Sequence, residues 1–433
     1  MPSIIVDKFS MNALRSGCVL LAIWVVSASS LAISDQGSSL LSLDRFSIKG
    51  FSRLEQLQRI GNQDVFEEDT QTSLGSNLDG KLEVDWSHDD VSIETISYGK
   101  YRSQYHDSDS DMESTAEVRE WILGYETDNW QYRLGKQQVA WGKGDYFRII
   151  DVINPLNLTE ALIPYLDDYS LGRVPREMLL VEHFQDEVEY QFIVAGKTQR
   201  TEYAEDQTNF SVPGFPADSV KADSENLDLA LRVRFFIDGT DLDIYAFSGY
   251  NPDPLFRLEG SGAQVFTQEH LEKRDVLAVS FARPIALGVL RSDVAYYLDE
   301  SVQSGNAIEA INKLDALLGL DIQENEWTFN LQATVSQLYN QSDQFIAQDN
   351  IKSASALIQK EWSQQRLMSS LVWLYSDLNE SSNMLKYNVR YDWRSDSQFE
   401  VGVIVFDGPA NSMHGMYDDQ DRLYLNFKQS FDF

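Results

Sequence analysis

Apolar and polar residues alternate one by one along most of the chain. From about residue 46 to the last residue, short runs place Val, Leu, Ile and aromatic side chains on one face and charged or small polar ones on the other. That is the period of a strand with one apolar face. Leu227, Leu229, Leu231, Val233 and Phe235 share a face, and the turn Asp238-Gly239 leads into Leu242, Ile244 and Ala246. The runs fall at 47–59, 81–86, 91–101, 118–125, 130–134, 178–184, 188–194, 227–235, 242–246, 277–281, 287–298, 314–322, 327–335, 354–362, 367–375, 385–393, 399–405 and 423–433. They predict about 18 strands, with 16 or 20 if one hairpin is miscounted.

The connections alternate between short turns and longer polar loops. If the first strand starts in the periplasm, every short turn falls on that side, every long loop falls outside, and an even count returns the C-terminus to the periplasm. Single-chain bacterial barrels have these properties. The expected fold is all-β, a transmembrane antiparallel up-and-down β-barrel with a long third extracellular loop; a secreted soluble β protein is the rival. Aromatics form 12% of the chain. Trp86, Trp121, Tyr125, Trp130, Trp327, Trp362 and Trp393 lie near the short turns, where barrels carry an interfacial girdle. Past the N-terminal region no apolar run is long enough for a membrane helix, a test that barrels escape because only alternate residues face lipid.

One stretch breaks the alternation. Residues 135–176 mix Trp141, Tyr146, Phe147, Tyr165 and Tyr169 with both signs of charge: Lys143, Arg148, Arg173 and Arg176 against Asp145, Asp151, Glu160, Asp167 and Asp168. A connection this long inside a compact fold is expected to be functional. Two placements are open: residues 138–176 fold into the barrel as a constriction or plug, or they pack over its rim. Irregular backbone is tolerated at membrane depth where it lines a water-filled cavity, and opposed charges there would orient dipolar solutes. On the first placement the constriction residues are Trp141, Lys143, Asp145, Arg148, Asp151, Asn154, Asp167, Asp168 and Arg173.

The N-terminus has the form of an export signal. Lys8 and Arg15 precede the apolar segment 17–26, and Ser30-Leu31-Ala32 is a small-residue cleavage site. The expected division is 1–32 as signal peptide and 33–433 as barrel. Cys18 is the only cysteine and lies in the leader, which leaves the mature chain without thiol chemistry. The formal charge of −33 disfavours nucleic acid as a partner. Inward positions are mixed: Arg133, Arg232, Arg234, Lys386, Arg390 and Lys428 against Asp228, Asp241, Asp243, Asp315, Asp321 and Asp432. A polar lumen should show this, so ion selectivity cannot be read from the total charge.

The last run, 423–433, ends on Phe427, Phe431 and Phe433. It resembles the terminal β-signal of Gram-negative outer-membrane proteins, which implies the barrel-assembly machinery as a partner during biogenesis. The residues Gly135, Lys136, Gln137, Trp141, Gly142, Asp151, Val152, Asn154, Pro155, Asp167, Asp168, Arg173, Val174 and Pro175 resemble the motif of a proteobacterial outer-membrane barrel family catalogued as a domain of unknown function. That family looks related to alginate-export and porin-like channels, and some members accompany exporters of the resistance-nodulation-division type. The resemblance implies the outer membrane of a Gram-negative bacterium, contact with its lipid and lipopolysaccharide, and passage of a small or amphipathic solute, with an inner-membrane exporter as a further partner. A non-conducting structural or adhesive barrel is the alternative.

Catalysis has little support. The histidines are His88, His106, His183, His270 and His414, with no G-x-S-x-G; His183 and the Ser412/His414 pair are the only candidates for a barrel hydrolase. Asp107 to Asp111 starts like a calcium loop, but Met112 and Val118 occupy the Gly and Glu positions it needs. No cofactor fingerprint, Cys/His metal spacing or P-loop is present, so no enzyme activity, cofactor or metal is expected.

Overall fold

The computed structural model describes residues 45–60, 74–106, 109–163, 166, 168–204, 210, 219, 221, 226–261, 264–305, 307–342, 345, 347–362 and 365–433. The expected leader (1–32), the residues Asp107 and Ser108, and the loop residues Pro164, Tyr165 and Asp167 lie outside them.

Alternating runs hydrogen-bond edge to edge because an unpaired strand edge in hydrocarbon is too costly to persist. Eighteen strands form one antiparallel sheet. They are β1 Phe46–Arg59, β2 Leu74–His88, β3 Val91–His106, β4 Asp109–Glu126, β5 Trp130–Gln137, β6 Arg176–Gln185, β7 Val188–Ala195, β8 Asp228–Ile237 and β9 Thr240–Tyr250. Then come β10 Lys273–Ile285, β11 Gly288–Ser304, β12 Ala307–Glu324, β13 Trp327–Tyr339, β14 Asn350–Trp362, β15 Leu367–Ser376, β16 Ser382–Arg394, β17 Ser397–Asp407 and β18 Arg422–Asp432. The sheet closes where β1 pairs with β18, from Lys49 opposite Asp432 to Arg59 opposite Arg422. Beyond that ladder, the amides and carbonyls of Ile48 and Phe433 exchange hydrogen bonds of 3.0 and 2.9 Å. The C-terminal residue thus completes the seam.

The outer face is apolar and uncovered by protein. Leu229, Leu277, Leu318 and Leu425 are each more than half exposed, and Trp121, Trp130, Trp362 and Trp393 stand at its short-turn rim. A band like this is stable only against lipid. Trp130 stacks on His183 at 4.2 Å between ring centroids, and the Lys360 ammonium lies 4.6 Å from the Trp327 ring and 3.9 Å from that of Trp362. These are amphipathic side chains at an interface.

Strands β3, β4, β11 and β12 run past the expected runs into long hairpins on the outer side. Hydrophobic alternation ends where the outward side chains leave lipid, while backbone pairing continues. The connection between β9 and β10 holds a small hairpin, Leu255–Ser261 with Gln264–His270. A short parallel pair joins Asn157 and Leu158 of loop 3, the β5–β6 connection, to Glu202 and Tyr203 of loop 4, the β7–β8 connection.

The candidate functional site: loop 3 inside the barrel

Loop 3 enters the lumen and touches both sides of it. Its first half carries Val139, Trp141, Ile149, Ile150, Val152 and Ile153, all buried against inward side chains of β6 to β12 such as Met178, Leu180, Ile193, Phe247, Val276 and Tyr297. Its second half puts Ala161 and Ile163 with Val372, Leu374, Met384, Ile404, Phe406 and Tyr424 of β15 to β18, together with Phe210 of loop 4. A loop that buries separate apolar groups on two parts of the wall stays within the barrel, because withdrawing it would expose both sets.

Polar groups lock the first half. Gly142 has φ +87°, and a Cβ there would meet Asp293 Oδ2 at 2.8 Å. Glycine therefore lets the backbone turn against β11. The amides of Lys143 and Gly144 donate to Asp293 Oδ2 at 2.8 and 3.1 Å. Lys143 Nζ lies 2.9 Å from Asp243 on β9. Asp145 accepts from Arg291, Asn330 and Gln332 at 2.6, 2.5 and 2.8 Å. The Trp141 indole donates to Gln191 at 2.8 Å, and its ring lies 5.0 Å from that of Tyr245.

Loop-internal bonds close this half into a knot. Asp151 Oδ2 accepts from Arg148 at 2.8 Å and from Arg173 at 2.7 Å. Burial alone would raise the Asp151 carboxyl, but the two guanidiniums outweigh it and hold the group below its ordinary range. Asn154 accepts from the amide of Val139 and donates to the carbonyl of Val174, at 2.8 and 2.9 Å. Arg176, at the start of β6, donates to the carbonyls of Ile153 and Gly196 and to Asp228 at 2.8, 2.6 and 2.7 Å.

The second half is a lobe on a neck. Leu156 faces Arg173 in an antiparallel bridge, and the amide of Asn157 bonds the carbonyl of Gly172 at 3.0 Å. Residues between them leave and return at one point. A β-bulge on β4 opposite Ile96 and Ser97 lets two successive side chains, Arg119 and Glu120, turn inward. Arg119 donates to the carbonyls of Ser170, at 2.7 Å, and Arg173, while Glu120 accepts from Gln138 at 2.7 Å. Glu160 of the lobe accepts from both Lys100 and Arg102 on β3. A cavity of about 400 Å³ lies between lobe and wall here, bordered by Arg53, Lys100, Arg102, Arg119, Lys386 and Arg422 with several carboxylates.

The expected site residues fall into three groups. Trp141, Lys143, Asp145, Arg148, Asp151, Asn154 and Arg173 are brought together in the anchored half, each engaged as described. Asp168 accepts from the amide and hydroxyl of Ser170 and borders the periplasmic mouth near Lys428. Asp167 is outside the described residues. Of the lumen cations, Arg232 pairs with Glu189, Arg234 lies 2.8 Å from Asp243, and Arg390 lies 3.4 Å from Asp392. Arg133 occupies an inward register position opposite Gly124 and Leu180. Phe427 packs on Phe399 at 4.9 Å, and Phe431 on Phe433 at 5.9 Å, on the outer face. His183 Nδ1 lies 3.0 Å from the carbonyl of Asn129, and the Ser412 hydroxyl donates to Pro409. Among the described residues, neither histidine candidate shows a hydroxyl–imidazole hydrogen bond.

Sequence reasoning missed Asp293 and Arg291, which hold the loop, and Lys100, Arg102 and Arg119, which hold the lobe. The inward register of Asp293, Arg291, Lys100 and Arg102 was readable, whereas alternation puts Arg119 on the outer face and only the bulge turns it in. Their partners were not readable, because the loop's path was unknown.

An even-stranded, closed barrel with a lipid-compatible girdle and a loop folded into a charged lumen defines an outer-membrane barrel of porin architecture. The chain belongs to the family described as "Protein of unknown function (DUF1302)", whose model matches residues 85–350. No curated protein matches it. Among solved structures it is similar to Acinetobacter baumannii OccAB3, with a TM-score of 0.51, 10% identity, and coverage of 90% of this chain and 100% of that one. It is likewise similar to Pseudomonas aeruginosa OccK5 (OpdH), with a TM-score of 0.51, 8% identity, and coverage of 90% and 98%. At these identities the likeness concerns the fold.

Proposed function

We propose that this chain is an outer-membrane porin-like channel, and that loop 3 narrows its lumen to a path for a small or amphipathic solute. One observation carries the reading: loop 3 reaches two parts of the inner wall while a polar, charged cavity remains beside its lobe. Within it, Trp141, Lys143, Asp145, Arg148, Asp151, Asn154 and Arg173 shape the constriction by fixing the loop. Asp168 and the lumen residues Arg133, Arg232, Arg234 and Arg390 contribute to its field. Tyr146 and Tyr169, with ring centroids 6.3 Å apart, offer apolar contact to a passing solute.

The same reading places the mature chain, 33–433, in the outer membrane after removal of the leader, with lipid and lipopolysaccharide against its outer face. The terminal strand with Phe427, Phe431 and Phe433 is what the barrel-assembly machinery would recognise. An inner-membrane exporter as partner rests on the family resemblance alone, and no catalytic role is assigned.

The neck supplies the test. Because Leu156 and Arg173 face each other, residues 157–172 can be replaced by an Asn-Gly turn without stretching the chain. Planar-bilayer recordings should show larger single-channel conductance for this variant than for the intact protein. Equal conductance removes the constriction role. A flat trace from both, with folded protein shown by a heat-shifted gel band, favours a non-conducting structural barrel.

A further inference from the structure

Among the described residues, a single carboxylate of the lobe pairs with cations of β3. Glu160 is 9% exposed, and one of its oxygens meets Lys100 Nζ and Arg102 Nη2 together. Lys100 and Arg102 are successive inward residues of β3, facing Asp79 and Asn77 across the ladder to β2. Those neighbours are engaged elsewhere. Asp79 accepts from Arg53 at 2.9 and 3.2 Å and from Tyr98 at 3.2 Å, and Asn77 donates to Glu55 at 2.6 Å. Glu113 on β4 reaches Arg102 only at 4.0 Å, with its side chain 66% exposed. The carboxylate that closes on both cations therefore comes from a loop and not from the wall.

Three cations of the far wall find their carboxylates on the wall itself, while Arg291 is shared between Asp145 of loop 3 and Asp321 of the wall. Arg234 pairs with Asp243 of the adjacent strand at 2.8 Å, Arg274 with Glu300 at 3.0 Å, and Lys313 with Asp315 of its own strand at 3.1 Å. Register fixes those pairs, and they separate only if the sheet does. The Lys100–Arg102–Glu160 contact separates if one lobe swings, and the cavity of about 400 Å³ beside it has room for a small solute. Two cations on one strand, projecting into that cavity and already satisfied by a carboxylate, form a site whose chemistry is set by its present occupant.

We propose that Lys100 and Arg102 bind the carboxylate of an organic anion, and that Glu160 fills this site as a tethered stand-in until the solute displaces it. The exchange conserves charge in the site: one carboxylate leaves the cations as another arrives. Glu160 then turns into the wet cavity, and the lobe loses its ionic hold on β3 while its neck stays closed. The inference rests on the channel reading only in that the solute must reach the lumen.

Calorimetric titration of detergent-folded protein with glutarate tests the site without requiring conduction, with glutaramide as the neutral control. Wild type should bind glutarate weakly, because binding must displace Glu160. Glu160→Gln should bind it about tenfold tighter or more. Lys100→Gln/Arg102→Gln should bind neither compound. Glutarate affinity unchanged in Glu160→Gln overturns the proposal, as does equal binding of glutaramide. Should Glu160→Gln fail to give a heat-shifted band, Glu160→Cys serves, since Cys18 in the leader is the only native cysteine. An anionic thiosulfonate should label it faster than a cationic one, and glutarate should slow the reaction; equal rates with no protection overturn the site. Bilayer recordings separate the two readings. No current together with normal glutarate binding defeats the channel and spares the site, whereas current with no effect of Glu160→Gln on binding defeats the site alone.

Discussion

The two halves of loop 3 are attached to the barrel by different means. The half from Val139 to Asn154 is buried and held redundantly: a backbone pair on Asp293, a buried indole on Gln191, and a carboxylate shared by Arg148 and Arg173. The lobe beyond the neck has a thinner hold: a few apolar side chains, Glu160 on two cations, and Arg119 on two carbonyls. Most motif residues that tie the chain to its family are in or beside the first half. The difference teaches that the family motif encodes how the loop is fixed, while the residues lining the cavity beside the lobe lie largely outside it.

The comparison predicts a ranking of mutational effects. Arg176→Gln should be the most damaging. Arg176 and Asp228 are each 1% exposed in their side chains, 2.7 Å apart, and breaking a buried pair by removing one partner costs about 3–5 kcal/mol. The temperature at which the folded gel band converts to the unfolded one should fall markedly; a fall no larger than that of a lobe variant would break the ranking. Ile163→Ala, in the lobe, should cost about 2 kcal/mol. It is 8% exposed and borders the cavity, which places it at the low end for deleting such a side chain.

The difference in attachment also explains what could be read from the chain. All eighteen strands, their parity and the aromatic rim were legible, because lipid on one side and water on the other impose strict alternation. The loop's destination was not extracted, yet a signal existed. Met178-Leu179-Leu180, Phe192-Ile193-Val194 and Val276-Leu277-Ala278 are apolar on both faces, and Leu180, Ile193 and Val276 proved to be buried inward. A barrel strand without a polar face announces that something dry covers it from within. The apolar residues of 139–153 are that cover. The lobe left the same mark on one side only: Leu371-Val372-Trp373-Leu374 and Val403-Ile404-Val405-Phe406 are apolar on both faces, and Val372, Leu374, Ile404 and Phe406 are buried with Ala161 and Ile163, whereas its β3 side is polar and Glu160 is one acid among many. The small hairpin at 255–270 was hidden for a related reason: its side chains face no uniform environment that would enforce alternation.

Asp151→Asn sharpens the contrast through pH. The carboxyl is depressed in the folded chain, so the stability it contributes is full above the ordinary carboxylate value of about 3.9 and is lost as pH falls below that toward the folded value. The asparagine should be less stable than wild type by about 1–3 kcal/mol near neutrality, because two guanidiniums lose a charged partner. The gap should narrow progressively below pH about 4. A pH-independent gap would mean that Asp151 acts by shape and not by charge.

The smallest effect belongs to the lobe's side of the lumen, in the loop between β17 and β18. His414 is buried there, and burial pushes its imidazole down to about 4. An unfolded or opened loop would protonate it near 6.5, so the closed form binds fewer protons between those values. Its stability falls as pH drops from about 6.5 toward 4, by at most about 1.4 kcal/mol per pH unit. Asp421 in the same loop acts in the opposite sense: burial, partly offset by the amide of Phe406, raises its carboxyl to about 6, so the closed loop gains as that group protonates on acidification. Wild type should therefore show a shallow net dependence. His414→Gln should remove the destabilising arm and leave a loop that becomes firmer as pH falls through 6. Hydrogen exchange at the amide of Tyr417, bonded to the carbonyl of His414 at 3.0 Å, reports the opening directly. If that amide exchanges with the same pH dependence in wild type and His414→Gln, the imidazole's titration has no part in holding the loop.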